Sequence, residues 1–509
     1  MKLSNKAKFM LFTSLIILNI LLRFQIEPHE IGVDSFKMHI MVNSISEFGY
    51  AKWIIHPLSI IGLYPASYTS TMHFLISGVS QSTDIYNESI IFLYCVIIGL
   101  LSMFTAYLMA GEIVDNDVFK FLAALGFSTV PAVLGYSTWT MPSRGLFLIL
   151  APMLIFLLLR CRKSLKFVPL FFFLAFFLIA THHLFYFLLP AFFSFFILII
   201  SFDKYIYSKR IRIPEKIMPL FFIVGFIIMF LIPFLTGRFI ENSRYASIDI
   251  SYLRYGGILI IPAFGGLIYL IFKNNKRFEE MFLLLTLILL TTFVYLQSYM
   301  KMLLPVFLIP LACIGLINML KLFKSKKYIS SLLILFLLLQ LTFTGYFQFI
   351  HGNSENQFNG RYIEDSTYST GQWMKDYGKG PGISNDVLFG DRIFATSTTP
   401  MLSDLTTVDM TYGFIKINIS EFKRHPINSD EFWYSGYDGP DYGQQIWSRM
   451  HNLIISPQEF HITYFIENTK ANGNLIWNHA AEPSNLLLLI YDESHQLYDS
   501  GNAKIWKIY

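Results

Sequence analysis

Between the first two apolar stretches of the chain lies Glu27-Pro-His29-Glu30-Ile-Gly-Val-Asp34-Ser-Phe-Lys-Met-His39, a concentration of ionisable side chains within reach of a lipid headgroup layer. Asp34 has the type and place for general-base work: an ionised carboxylate held against a substrate can take the proton of a hydroxyl or amide as that group attacks carbon. The same carboxylate could instead cap a helix starting at Ser35, its oxygen accepting a free backbone N–H. Residue 37 is Lys rather than Glu or Gln, so a capping box would be incomplete. The local residues leave both roles open. His39 lies in the same concentration, and Tyr64 belongs to a Tyr64-Pro65 pair later in the same segment.

A second set of candidates is cationic. Arg144, Arg238, Arg244, Arg254 and Lys301 fall at ends of apolar stretches where the general charge pattern of the chain would not put them. Guanidinium forks match phosphate oxygens, and a positive cluster would neutralise a phosphate as it leaves. Each cation taken singly could also snorkel or pair locally, as Arg244 could with Glu241 or Asp249. The adjacent His182 and His183 could bind a phosphate or a metal; neighbours on a helix point about 100° apart, so interfacial hydrogen bonding is the alternative.

The elements that must position these residues are membrane spans. Crossing roughly 30 Å of hydrocarbon takes about 20 mostly apolar residues, and stretches of that kind run approximately over 9–26, 89–109, 119–136, 143–159, 167–181, 184–202, 217–236, 255–272, 281–300, 302–320 and 329–350. Lys and Arg cluster in alternate gaps: Lys2, Lys6 and Lys8; Arg160, Arg162, Lys163 and Lys166; Lys204, Lys209, Arg210, Arg212 and Lys216; Lys273, Lys276 and Arg277; Lys321, Lys324, Lys326 and Lys327. Positive residues near span ends are retained on the cytoplasmic side. The expectation is therefore a polytopic α-helical membrane protein of about eleven transmembrane helices, N-terminus inside. One gap dissents, because Glu112, Asp115 and Asp117 make the stretch after the second span acidic; acidic residues weigh little in the rule. At 54% hydrophobic residues in 509, composition agrees with this class. Lys2 to Lys8 ahead of a full-length apolar run without a small-residue cleavage site reads as a retained signal anchor.

From 351 onward the long Phe, Leu and Ile runs stop, and 11 Lys and Arg face 19 Asp and Glu, whereas 1–350 hold 28 and 15. An acidic segment behind a basic membrane half fits a C-terminal extracytoplasmic α/β domain over 351–509, behind a transmembrane domain over 1–350 whose large first outer loop is 27–88. Within 351–509, residues 370–377 and 444–453 read as helices, 411–419 and 461–467 as strands, and 496–509 as a hairpin turning at Asp499-Ser500-Gly501-Asn502. In the first loop, Met38, Met41, Val42, Ile45 and Phe48, then Met72, Leu75, Ile76 and Val79, recur at helical spacing and predict two amphipathic helices along the membrane surface. Cys95, Cys161 and Cys313 sit in or beside spans, so 351–509 has no thiol with which to form a disulfide. The triplets Asn87-Glu-Ser89 and Asn418-Ile-Ser420 match the N-glycosylation pattern and predict accessibility.

An Asp shortly after the first span, a long first outer loop with Tyr64-Pro65, a polytopic bundle and a closing Leu497-Tyr-Asp-Ser-Gly501-Asn-Ala-Lys-Ile505-Trp-Lys-Ile hairpin together resemble the GT-C superfamily of integral-membrane glycosyltransferases. That group includes oligosaccharyltransferase catalytic subunits, protein O-mannosyltransferases and aminoarabinose transferases. The resemblance implies a polyprenyl- or dolichyl-phosphate-linked sugar donor, a glycan, lipid or protein acceptor, reaction on the outer face of the plasma membrane, and Asp34 as base. It makes Arg144, Arg244, Arg254, Lys301, His182, His183, Tyr64 and His39 the substrate-binding candidates, and leaves a divalent cation, Mg or Mn, as the one cofactor in view. Oligosaccharyltransferases also place an acidic pair in the second outer loop, where this chain has Ser137-Thr-Trp-Thr-Met-Pro-Ser-Arg144, and they carry a Trp-Trp-Asp sequence that this chain lacks. No nucleic-acid partner is expected. The rival reading is a transporter, a flippase or a non-catalytic membrane protein of a cell-envelope glycan pathway. Unbroken spans without paired half-repeats, and scarce ionisable residues within them, speak against ion-coupled transport.

Overall fold

The computed structural model describes residues 2–24, 27–49, 71–201, 217–236, 245–296, 299–322, 326–352, 362–380, 382–384, 387–399, 401–402, 463–469 and 495–507. Tyr64, Pro65, Arg238, Arg244, the basic gap at 204–216, the expected strand at 411–419, the expected helix at 444–453 and the Asn418 triplet lie outside the described residues. In chain order the helices are α1 (Asn5–Leu22), α2 (Val33–Phe48), α3 (Thr71–Thr83), α4 (Asn87–Ile113), α5 (Asp117–Thr129), α6 (Pro131–Leu134), α7 (Ser143–Lys163), α8 (Val168–Thr181) and α9 (Leu189–Leu198). They continue with α10 (Met218–Leu235), α11 (Tyr245–Gly256), α12 (Ile260–Phe272), α13 (Phe278–Thr291), α14 (Met300–Leu303), α15 (Pro305–Lys321) and α16 (Lys326–Gly352). Then come α17 (Asp365–Tyr377), β1 (Gly382–Ser384), α18 (Val387–Ser397), β2 (Met401–Leu402), β3 (Tyr464–Asn468), β4 (His495–Asp499) and β5 (Ala503–Lys507).

Each of the eleven apolar stretches contains helix, as hydrocarbon demands of backbone groups that have no water to bond. Among the described residues seven segments are long and apolar enough to cross a membrane: Asn5–Leu22, Asn87–Ile113, Ser143–Lys163, His183–Ser201, Met218–Leu235, Asp249–Phe272 and Ser331–Gln348. Leu165–Thr181 and Pro305–Lys321 are shorter apolar helices. The stretch at 119–136 is broken: Val130 is extended ahead of Pro131, as a residue before proline prefers, so α5 stops and α6 restarts.

Contacts divide the chain into two compact units, one of Met1–Phe24, Tyr94–Thr138 and Arg144–Asn353, the other of Gln25–Leu93, Trp139–Ser143 and Ser354–Tyr509. In the first, helical unit, α12 and α15 approach so closely that a Cβ on Gly266 would strike the Leu311 carbonyl and one on Gly315 the Pro262 carbonyl. Small residues at such a crossing replace the hydrophobic drive that lipid removes. Arg23, at the end of α1, is fully buried in the same unit. It donates to Ser137 Oγ at 3.2 Å, Asn19 Oδ1 at 2.8 Å and the Ser128 carbonyl at 3.2 Å, so this cation is turned inward onto neutral acceptors.

The second, α/β unit is built on a five-stranded sheet in the order β2-β1-β3-β5-β4, parallel between β1 and its two neighbours and antiparallel from β3 to β5 and β5 to β4. The expected hairpin is β4–β5, the extended run at 461–467 overlaps β3, and the helix at 370–377 is the second half of α17. The core joins Phe36, Ile40 and Met41 of α2 to Met374, Phe389, Ile393, Phe394, Ile466 and Ile505. That corrects the membrane-surface expectation for α2: Met38, His39, Val42, Asn43 and Ile45 are buried as well, so the helix is enclosed on several sides by protein. Apolar spacing announces a buried face without saying what covers it. On α3 the expected set splits, with Met72 and Ile76 buried and Phe74, Leu75 and Val79 exposed. Asn87 is buried and donates to Asn43 Oδ1 at 2.7 Å, so its triplet does not mark an accessible acceptor.

Candidate active site

Helix α2 begins two residues earlier than expected. Gly32, at φ +103, takes a backbone conformation that a side chain resists, and its carbonyl receives the Ser35 and Phe36 amides at 2.9 and 3.2 Å. Asp34 is therefore inside the first turn, not at the N-cap, and the capping alternative is replaced: Gly32 is the N-cap and no side chain caps it. A carboxylate there lies at the positive end of the helix dipole, which favours its ionised form.

The first turn is instead fixed from below by a buried acid. Glu30 accepts from Ser35 Oγ at 2.6 Å through one oxygen and from His39 Nδ1 at 2.5 Å through the other. Ser35 Oγ in turn accepts the Met141 amide at 2.9 Å. Trp139, at φ +50, closes the same loop: its indole N–H donates to the Glu27 carbonyl at 2.9 Å and its carbonyl accepts the Ile31 amide at 2.8 Å. Burial works to lower the His39 pKa, but the Glu30 charge and hydrogen bond, helped by Glu88, outweigh it and hold the imidazole above its ordinary value. His29 donates to Glu88 at 3.0 Å and stacks on Tyr368.

In the helical unit, three of the cationic and histidine candidates, Arg144, Lys301 and His183, meet on tyrosines. The Arg144 guanidinium lies over Tyr136 at 5.2 Å and Tyr299 at 5.6 Å, and the Lys301 ammonium over Tyr255 at 5.1 Å. Tyr136 and Tyr255 are near-parallel, 12° apart, with their hydroxyls 3.2 Å from each other. His183 packs edge-on to Tyr299 and lies tilted against His182, which reaches Phe147. Arg254, next to Tyr255 in the chain, lies over Phe347. Among the described residues neither Lys301 nor Arg254 makes an ion pair. A ring face holds a cation without neutralising it or occupying its N–H edge, so this end of the unit keeps positive charge and donors for an anion.

The opposite end pairs its charges. Glu112 meets Arg160 at 2.6 Å and Lys163 at 2.7 Å; Asp117 meets Lys8 at 2.9 Å; Glu280 meets Lys273 at 2.6 Å and Arg277 at 3.2 Å. Arg277 also donates to the Ile113 carbonyl at 2.8 Å. The acidic gap that dissented thus shares an end with three of the basic clusters and is ion-paired by two of them, through Lys8 and through Arg160 and Lys163.

Of the predicted site residues, then, Arg144, Lys301, His182 and His183 come together, Arg254 is the sequence neighbour of the Tyr255 under Lys301, and Asp34 and His39 belong to the α/β unit. His39 is a buried partner of Glu30. Tyr136, Tyr255, Tyr299, Glu30 and Ser35 were not picked out by sequence; the tyrosines are single residues in a chain that is 17% aromatic, and only contact distinguishes them. Among the described residues no three His, Cys, Asp or Glu converge as a donor set, and the 137–143 segment has no carboxylate. The described side chains do not fit a divalent-cation site.

The chain has the fold of the GT-C glycosyltransferases. ArnT from Cupriavidus metallidurans, solved bound to undecaprenyl phosphate, superposes with TM-score 0.57 at 9% identity over 99% of this chain and 99% of that one. The Archaeoglobus fulgidus oligosaccharyltransferase tethered to an acceptor peptide gives TM-score 0.56 at 14% identity over 91% of this chain and 69% of that one; the same enzyme has been solved with Zn and sulfate. The mycobacterial arabinofuranosyltransferase AftD gives 0.53 at 12% identity, this chain covering 42% of its length. No family model and no curated protein matches the sequence.

Proposed function

We propose that the protein transfers a sugar from a polyprenyl- or dolichyl-phosphate donor to an acceptor on the outer face of the plasma membrane. The observation that carries this reading is the convergence of Arg144, Lys301 and His183, with His182 beside it, on three tyrosines at one end of the helical unit. The acceptor hydroxyl or amide attacks the anomeric carbon, its proton passes to the Asp34 carboxylate, and the bond from that carbon to the phosphate oxygen breaks with its electron pair leaving on the phosphate. The donor phosphodiester carries one negative charge and the released polyprenyl phosphate about two at neutral pH. Cations aimed at that phosphate are worth more after bond cleavage than before, which is the condition for catalysis rather than mere binding. Arg254, Arg244 and Tyr64 are further proposed substrate contacts, whereas His39, buried against Glu30, acts through that partner.

The test is turnover by purified protein in nanodiscs, without an ion gradient, of a panel of undecaprenyl-phosphate-linked hexoses and pentoses, read as released undecaprenyl phosphate. Asp34→Asn should lower that release by about 100-fold or more while leaving undecaprenyl phosphate binding within twofold. Release at the wild-type rate from the variant would remove Asp34 as base, and no release from any donor by the wild type would remove the transferase reading.

A further inference from the structure

Two ionisable side chains are buried in the α/β unit in a way the proposed chemistry does not itself require. Glu30 and His39 are 1% and 2% exposed, and Ser35, hydrogen-bonded to Glu30, is fully buried. Burying a carboxylate and an imidazole costs several kcal/mol unless each finds its partner, and a hydrophobic pair would have served packing alone. Both Glu30 oxygens are used on α2, one on Ser35 and one on His39 four residues later, one turn further along the same face. Ser35 is the residue after Asp34, and its hydroxyl is bonded to the 139–143 segment through the Met141 amide. That segment runs by chain continuity into Arg144.

The turn it fixes has no other side-chain anchor at its N-cap. Gly32 is conformationally permissive, and a Cβ there would come within 3.2 Å of Thr140 Oγ1, so loop and segment approach closely on this side too. We propose that Glu30, Ser35 and His39 are positioning residues: a buried clamp that sets the direction of the Asp34 carboxylate and ties the first turn of α2 to the 139–143 segment. The inference rests on the reading of Asp34 as the base. Glu30→Gln breaks the clamp chemically, since an amide has one acceptor oxygen where Ser35 and His39 both need one. Ser35→Ala breaks only the link to Met141.

The experiment uses the full chain in nanodiscs with the undecaprenyl-phosphate-linked hexoses and pentoses as donors, undecaprenyl phosphate for binding, and each variant made alone and on Asp34→Asn. Small misplacement of a reacting group costs about 10- to 100-fold. Glu30→Gln and Ser35→Ala should therefore lower kcat by about that factor, leave undecaprenyl phosphate affinity within twofold, and have no further effect once Asp34 is Asn. An unchanged kcat overturns the inference. So does an equal loss on the Asp34→Asn background, which would show a route that bypasses Asp34, and so does a joint fall of kcat, affinity and thermal midpoint in both variants, which would mark a purely structural pair. If Asp34→Asn alone keeps wild-type turnover, the base reading fails first; if it does not and Glu30→Gln is silent, only the clamp fails.

Discussion

The two ends of the helical unit hold cations in opposite ways. At one, Lys8, Arg160, Lys163, Lys273 and Arg277 each reach Asp117, Glu112 or Glu280. At the other, Arg144 and Lys301 lie on tyrosine rings, and Lys301 and Arg254 have no carboxylate partner among the described residues. Helix α7 joins them, with Arg144 in its first turn and Arg160, Arg162 and Lys163 in its last, about 25 Å apart along the axis at about 1.5 Å per residue. The last-turn cations complement the helix dipole, whereas Arg144 adds to its positive end and so gains nothing for α7 itself. A matched charge supports the fold; a cation held by a ring stays available to an anion. That difference is why the tyrosine-lined end, rather than the more densely charged one, is the proposed phosphate site.

The sharpest way to break the comparison is to remove the ring-held cations. Arg144→Ala combined with Lys301→Ala should weaken undecaprenyl phosphate binding by about 100-fold, measured by titration in nanodiscs, with the thermal midpoint nearly unchanged. The reverse pattern is expected of Glu112→Gln, which leaves Arg160 and Lys163 without their acid: a lower thermal midpoint, corresponding to about 1–2 kcal/mol, and lipid binding within twofold.

The Glu30–His39 pair is a matched charge in the α/β unit, and it makes a pH-dependent prediction. His39 is held above the ordinary value near 6.5, so its contribution to stability is complete below that value and is lost as pH rises through the raised one. Around it, Glu30 and Glu88 act on the imidazole, and the neighbouring α3 carries His73, which burial lowers to about 3 and so keeps neutral. Thermal midpoints taken across neutral to mildly alkaline pH should fall for the wild type and stay flatter for His39→Gln; parallel curves would refute the assignment. The smallest effect belongs to Arg254→Ala. With its guanidinium on Phe347 rather than on the tyrosine pair, it should cost binding only about two- to threefold.

The spans and the C-terminal hairpin were legible because each rests on a short-range signal: an unbroken apolar run, or alternation around Asp499-Ser500-Gly501-Asn502. Asp34, Arg144 and Lys301 stood out for the same reason, as charges beside apolar runs. What the sequence hid is set by contacts between distant segments. The spacing of Met38, Met41 and Ile45 fits a helix on a membrane surface as well as a helix in a core, and the other core residues lie more than 300 positions away. The start of α2 depended on the positive φ of Gly32, which allows a helix to begin before the expected cap. The tyrosine pair needed Tyr136 and Tyr255, 119 residues apart, to meet.

Photo-crosslinking decides most directly between the two ends. An undecaprenyl phosphate analogue with a diazirine next to the phosphate, bound to the wild-type protein in nanodiscs and mapped by mass spectrometry, should label peptides containing Tyr136, Arg144, Tyr255 or Lys301, and unlabelled undecaprenyl phosphate should compete the label away. Competed labelling confined to peptides around Arg160 to Lys163 or Lys273 to Arg277 would place the lipid phosphate at the ion-paired end and contradict the account.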